Sequence, residues 1–264
     1  MFSAQPARLD LTIIYKLKVA CFKRPFLLIL FTMRKLTWQN FIFAFFSSAL
    51  TIGTNQIAYQ GARFLSRNFH HWDVALPIDY TFKPVPWTMF IYFGCFIFWF
   101  FSYFAIAMQE DREQANRFFA MVQVAKIVCF VFYLVCPTTA DIRVEIVGDG
   151  WWDRVLRFCY SADSPASNYF PSMHCMASWF CFIGVRGKKQ FHIAFRIATF
   201  VMAIAVFIST ITTRQHVLLD IPGGIVFAEL CYALSLLEPV YRTYTKIINW
   251  IMVHVFRLSG PDYQ

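Results

Sequence analysis

The sequence predicts an all-α fold, an integral membrane bundle of six transmembrane helices with an N-terminal basic interfacial segment. Three observations predict it. Of 264 residues, 58% are hydrophobic and 20% aromatic, while only 15% are charged; soluble domains of this length carry about a quarter charged residues. Long stretches lack charge altogether, with none between Lys35 and Arg63 or between Lys83 and Glu110. A spanning helix needs roughly 20 consecutive, mostly apolar residues. Lysine and arginine, finally, fall unevenly along the chain in a way that alternates with the apolar runs.

Taken in order, six spans fit, centred near 37–58, 86–108, 118–137, 171–186, 194–213 and 216–237. The first two are the uncharged runs just named. The third holds a single charge, Lys126, and the fourth is uncharged up to Arg186 at its end. The fifth is the shortest and requires Arg196 to snorkel to an interface. The sixth carries Asp220 and Glu229. Residues 1–36 read as a cytoplasmic, basic, amphipathic segment lying on the membrane surface. Residues 37–237 form one catalytic-size membrane domain, and 238–264 a cytoplasmic tail.

With both termini cytoplasmic, the inner segments hold 16 lysines and arginines and the outer segments 7, which is the distribution the positive-inside rule favours. The net charge of +9 then reflects that bias and attraction to anionic lipids. It gives no reason to expect a nucleic-acid partner. There is no CxxC pair; Cys136 and Cys159 would share the outer side and could form a disulfide. The longest connection, 138–170, carries DGWWDRVLRFCY, whose composition reads as an amphipathic lid without specificity.

Polar groups are costly in membrane helices and therefore mark candidate sites. Here they gather at one depth, on the extracytoplasmic side. Pro137-Thr138-Thr139 and Arg143 follow the third span, Pro171-Ser172-Met173-His174 opens the fourth, and Thr212-Thr213-Arg214-Gln215-His216 ends the fifth. His216 and Asp220 are four residues apart and so share one helical face. The carboxylate can hold one ring nitrogen and leave the other free as nucleophile or base. Such a pair can be purely structural; His174 and Ser172 at the same depth favour chemistry. Gly223-Gly224 permits close helix approach. Residue counts also place Lys126 and Glu229 at one level below the site, which predicts an ion pair between the third and sixth spans.

Together FYLVCPTTADIR, NYFPSMHC and STITTRQHVLLDIPGG resemble the three signature segments of the type 2 phosphatidic acid phosphatase superfamily, lipid phosphate phosphatases and phosphotransferases, over residues 115–235. The resemblance implies catalytic roles for three residues: His216 as the nucleophile that forms a phosphohistidine, Asp220 as its orienting partner and His174 as the general acid. It implies phosphate-oxygen binding by Ser172 and Arg143. Departures are also visible. Met173 stands where glycine is usual, and Val144 follows Arg143 in place of proline. Thr210 occupies the position of an expected arginine, which leaves Arg214 as the replacement. The TRQHxxxD style with FPSMHC is closer to the branch of inositol-phosphorylceramide and sphingomyelin synthases. The expected function is a metal-independent lipid phosphatase or phosphotransferase, with no cofactor and with a lipid phosphate or phospholipid as substrate. The alternatives are an inactive homologue, a transporter or binding protein, and a zinc hydrolase using His174, His216 and Asp220, for which no HExxH or Cys/His cluster is present.

Overall fold

The computed structural model describes Arg34 and residues 37–260. The basic interfacial segment expected over 1–36 lies almost wholly outside the described residues. Eight α-helices account for most of the rest: α1 (Trp38–Ser66), α2 (Met89–Ala107), α3 (Arg112–Val135), α4 (Trp151–Ala162), α5 (Met173–Val185), α6 (Ile193–Thr212), α7 (Asp220–Ser235) and α8 (Glu238–His254). The only strands among the described residues are two-residue segments, β1 (Trp72–Asp73) and β2 (Thr138–Thr139), paired in parallel. They tie the connection after α1 to the connection after α3.

Helix starts follow local chemistry. Thr37 caps α1 by accepting from the Asn40 amide (3.3 Å), and Asp111 caps α3 by accepting from Gln114 (3.1 Å). Each side chain satisfies an amide that the helix itself leaves free. Within α1, Ser48 and Thr51 return their hydroxyls to carbonyls four residues back, at 2.7 and 2.8 Å. This lets polar residues sit in a buried helix face without outside partners.

Helix α5 is central. It packs against α2, α6 and α7, while α3 joins α1 to α7 and α8. Met176, Phe180 and Cys181 of α5 are fully buried with Phe119, Met121 and Cys129 of α3. Two glycines set how closely the helices approach. A Cβ on Gly224 of α7 would lie 2.7 Å from Cys175 Cβ and 3.0 Å from the Met176 amide nitrogen, and one on Gly223 would strike the Phe170 ring at 2.2 Å. Gly224 meets the expected close approach at the α5–α7 contact, and Gly223 packs against Phe170 of the preceding connection.

Four described helices, α1, α3, α6 and the run Pro86–Ala107 containing α2, are long and apolar enough to cross a membrane. The six-span expectation is therefore met in part. Helix α5 has 13 residues, about 20 Å at 1.5 Å per residue, against a hydrocarbon thickness of about 30 Å. Helix α7 passes only together with α8, and the two meet at 85°. The segment read as a tail thus holds a helix whose buried residues Ile248 and Met252 join the core. Cys136 and Cys159 are both free thiols.

The expected Lys126–Glu229 pair does not form. Lys126, 3% exposed, donates to Asn55 Oδ1 of α1. Glu229 instead takes both guanidinium nitrogens of Arg186, at 2.5 and 2.6 Å, and the Trp179 indole N–H at 2.8 Å. Equal depth says nothing about rotation around the helix. Nine residues separate Asp220 from Glu229, which is two and a half turns at 3.6 residues per turn, so Glu229 projects from the face opposite the site.

Candidate active site

His216 lies where α6 stops and α7 has not begun. Arg214 adopts φ +53°, and the amides of Gln215 and His216 both fold back on the Thr210 carbonyl, at 3.0 and 3.2 Å. That reversal turns His216 inward instead of along the axis of α6. A second anchor comes from Asp79, 2% exposed, whose two carboxylate oxygens accept from the amides of Leu218 and Leu76 at 2.8 Å each. The start of α7 is thereby tied to the connection before α2. Nothing in the pattern around Asp79 marks it, because its partners are backbone amides 139 and 3 residues away.

The His216 ring is held from one side and open on the other. Nδ1 lies 2.8 Å from Asp220 Oδ2, which also accepts from the Val217 amide at 3.1 Å. Asp220 is fully buried. A carboxylate in that position accepts a hydrogen bond from Nδ1–H and so favours the tautomer in which Nε2 is unprotonated. Nε2 faces His174 Nδ1 at 3.4 Å. His174, in the first turn of α5, is stacked on Tyr92 (centroids 4.6 Å apart, 27°) and flanked by Phe96 and Trp99. Three aromatic rings of α2 therefore fix its orientation. Tyr169 meets the His216 ring edge-on at 5.9 Å.

Both histidines line a cavity of about 170 Å³, walled by Asn55 and Tyr59 of α1, Tyr92 and Phe96 of α2, and Asp163 and Gln215. Three of the expected site residues, His216, His174 and Asp220, are thus brought together. The other three are placed differently. Ser172 is fully buried, and its Oγ caps α5 by accepting from Cys175 (3.3 Å), away from the cavity wall. Arg143 does not line the cavity but a separate surface pocket with Thr139 and Tyr160; its NH2 donates to two residues of the cavity wall, Gln215 Oε1 at 2.7 Å and Asp163 Oδ2 at 2.6 Å. Arg214 is engaged elsewhere. Its guanidinium donates to the Ile142 and Phe82 carbonyls, it is 3% exposed, and it does not line the cavity. Two residues before His216 in a reversing turn is not the same face as His216, and Arg214 braces the loops through the Ile142 and Phe82 carbonyls.

The 138–170 connection also departs from the expectation of a lid without specificity. Leu156 of α4 is buried among Met89, Tyr92 and Ile146, which seats the helix over α2. Its end delivers Cys159, Tyr160 and Asp163. The Tyr160 hydroxyl donates to the Thr213 carbonyl at 2.9 Å, and burial pushes its pKa up to about 12 against the opposing pull of Arg143. Burial likewise raises the Cys159 thiol to about 11, so it is no nucleophile at neutral pH. Asp163, Tyr59 and Gln215 were missed by sequence reasoning. Only DGWWDRVLRFCY carried a signal, since its strong amphipathicity requires a partner surface. Among the described residues, no three His, Cys, Asp or Glu side chains are disposed to hold a metal ion.

The site is thus a buried His–Asp pair facing a second histidine at a small cavity within a helical membrane-type bundle. Comparison supplies the family. The profile of the PAP2 superfamily matches residues 71–234, more than half of the chain, and the chain belongs to that superfamily. No curated protein and no solved structure matches it. The family membership supports a phosphatase-type or phosphotransferase-type enzyme, and the long apolar helices support a membrane protein.

Proposed function

We propose that this chain is a lipid phosphatase or phosphotransferase that works through a phosphohistidine on His216, without a metal, at the extracytoplasmic face. The observation that carries it is the placement of His216 Nε2, 3.4 Å from His174 Nδ1, while Nδ1 is committed to Asp220. An ester phosphorus entering the cavity meets the free nitrogen of His216. Nε2 attacks phosphorus, the bond to the leaving alcohol breaks, and protonated His174 gives its proton to that oxygen. Water, or a second alcohol, then attacks the P–N bond while His174 takes back a proton. Water gives hydrolysis and free phosphate; an alcohol gives transfer. The Asp220 carboxylate stabilises the positive ring in between. Which of the two occurs depends on the acceptor that reaches the phosphohistidine.

The test uses purified wild type, His216→Ala and His174→Ala in detergent with EDTA. Each is given phosphatidic acid, and separately a phospholipid donor with diacylglycerol or ceramide. Turnover by the wild type, reduced at least about 1,000-fold in both variants, is the expected outcome. Equal residual turnover in His216→Ala would remove the nucleophile assignment, and silence of the wild type in every assay would favour an inactive homologue or a transporter.

A further inference from the structure

Arg143 has four of its five N–H donors already in use. NH1 donates to the carbonyls of Asp163 (2.7 Å) and Tyr160 (3.3 Å), and NH2 to Asp163 Oδ2 (2.6 Å) and Gln215 Oε1 (2.7 Å). The fifth, Nε–H, is buried without an acceptor. A guanidinium so occupied cannot also grip a phosphate with a two-pronged contact. One of its present acceptors has to yield.

The acceptor placed to yield is the Asp163 carboxylate. It lines the same cavity as His174 and His216, and it is the one anion bound to Arg143 among the described residues. Its other oxygen, Oδ1, already has different partners: Arg63 NH1 of α1 at 3.2 Å and, at 3.2 Å, the Tyr59 hydroxyl, whose one hydrogen is shared with the Ser167 carbonyl at 3.1 Å. Arg63 is further seated by the Ser164 carbonyl at 2.8 Å. The Asp163 backbone is fixed where α4 ends, its amide donating to the Cys159 carbonyl at 3.1 Å. If Oδ2 gives up Arg143, therefore, the carboxylate still has a cation and a hydroxyl on α1 to hold it.

We propose that Asp163 is a resident counter-anion of the phosphate seat, held by Arg63 and Tyr59 so that an incoming phosphate oxygen takes over Arg143 NH2 from it. Asp163 is thus a positioning residue that sets how strongly the seat binds an anion. The two arginines and the carboxylate together leave one net positive charge beside the cavity. Removing the carboxylate raises that charge to two and frees a donor, while removing Arg63 lowers it to zero and leaves Asp163 leaning on Arg143 alone. Arg63 lies outside the stretch matched by the family, 71–234, so the seat extends beyond the family's own segments. The proposal rests on the phosphate-ester reading above.

The experiment measures binding of inorganic phosphate to the full-length protein in detergent, from the rise in Tm with phosphate concentration, for wild type, Asp163→Asn and Arg63→Gln. Asp163→Asn is expected to bind phosphate at least about tenfold more tightly, because one charge-assisted hydrogen bond is worth a tenfold change or more. Arg63→Gln is expected to bind it several-fold more weakly. Opposite directions are the signature, since loss of a merely structural brace would weaken both. Unchanged or weaker binding by Asp163→Asn overturns the proposal. Should that variant fail to give a monodisperse folded protein, Arg63→Gln decides, and unchanged or tighter binding overturns it. A wild type that binds no phosphate at all removes the phosphate-ester reading and the seat with it.

Discussion

Asp220 holds His216 through one carboxylate oxygen and leaves the other, Oδ1, buried without a partner. An asparagine fits the same volume but no longer offers a charge to stabilise the imidazolium. Asp220→Asn is therefore expected to keep its Tm within a few degrees while kcat falls at least about 100-fold; a stability loss without a rate loss would make the pair structural. Arg214 gives the converse case. Its contacts are backbone carbonyls at a left-handed turn, so Arg214→Gln leaves buried acceptors unpaired and costs about 1–3 kcal/mol. The expected result is a lowered Tm with KM unchanged in the folded fraction. A raised KM at constant Tm would return Arg214 to the substrate.

At the scale of elements, the α5–α7 contact determines whether His174 and His216 face each other. Gly224 has no room for a side chain against Cys175 and the α5 backbone. Gly224→Val should force the helices apart, cost about 1–3 kcal/mol in overpacking, and lower kcat together with Tm. Gly53, with open space around it, is the matched control. The connection between α5 and α6 offers a pH prediction. Lys188, which donates to Gln109 Oε1 at 3.0 Å, has its pKa lowered by burial to about 8 from 10.5. The unfolded chain then binds more protons between pH 8 and 10.5, so this group makes stability rise with pH across that window. Below pH 8 its cost is fully present. The difference in Tm between Lys188→Gln and wild type should accordingly shrink as pH rises from 8 toward 10; a constant difference would show that the lysine titrates normally.

For the whole molecule, α1 and α8 both lie outside the residues that the family matches, and α1 supplies Asn55 and Tyr59 to the cavity wall and Arg63 to Asp163. It also meets the buried Lys126 through Asn55. A fragment of residues 71–264, which lacks α1 but keeps α8, is therefore expected to be inactive even where it is inserted and folded. Activity from that fragment equal to the full chain would reduce α1 to a scaffold.

The all-α membrane character, the apolar runs that became α1, α2, α3 and α6, and the His216–Asp220 pair all rest on short-range rules: hydropathy over about 20 residues and the four-residue repeat of a helix face. The amino-acid order determines these without help. His174 was legible as well, because its PSMH segment opens a helix at the same depth. Lys126 choosing Asn55, Glu229 choosing Arg186, Arg214 turning to carbonyls, and Asp163 joining Arg63 to Arg143 were decided by the tertiary structure. Each depends on the rotation of one helix against another or on a chain reversal, and neither is encoded in the depth of a residue along its own helix. A buried charge takes whichever partner the packing presents, since leaving it unpaired would cost more than any local preference.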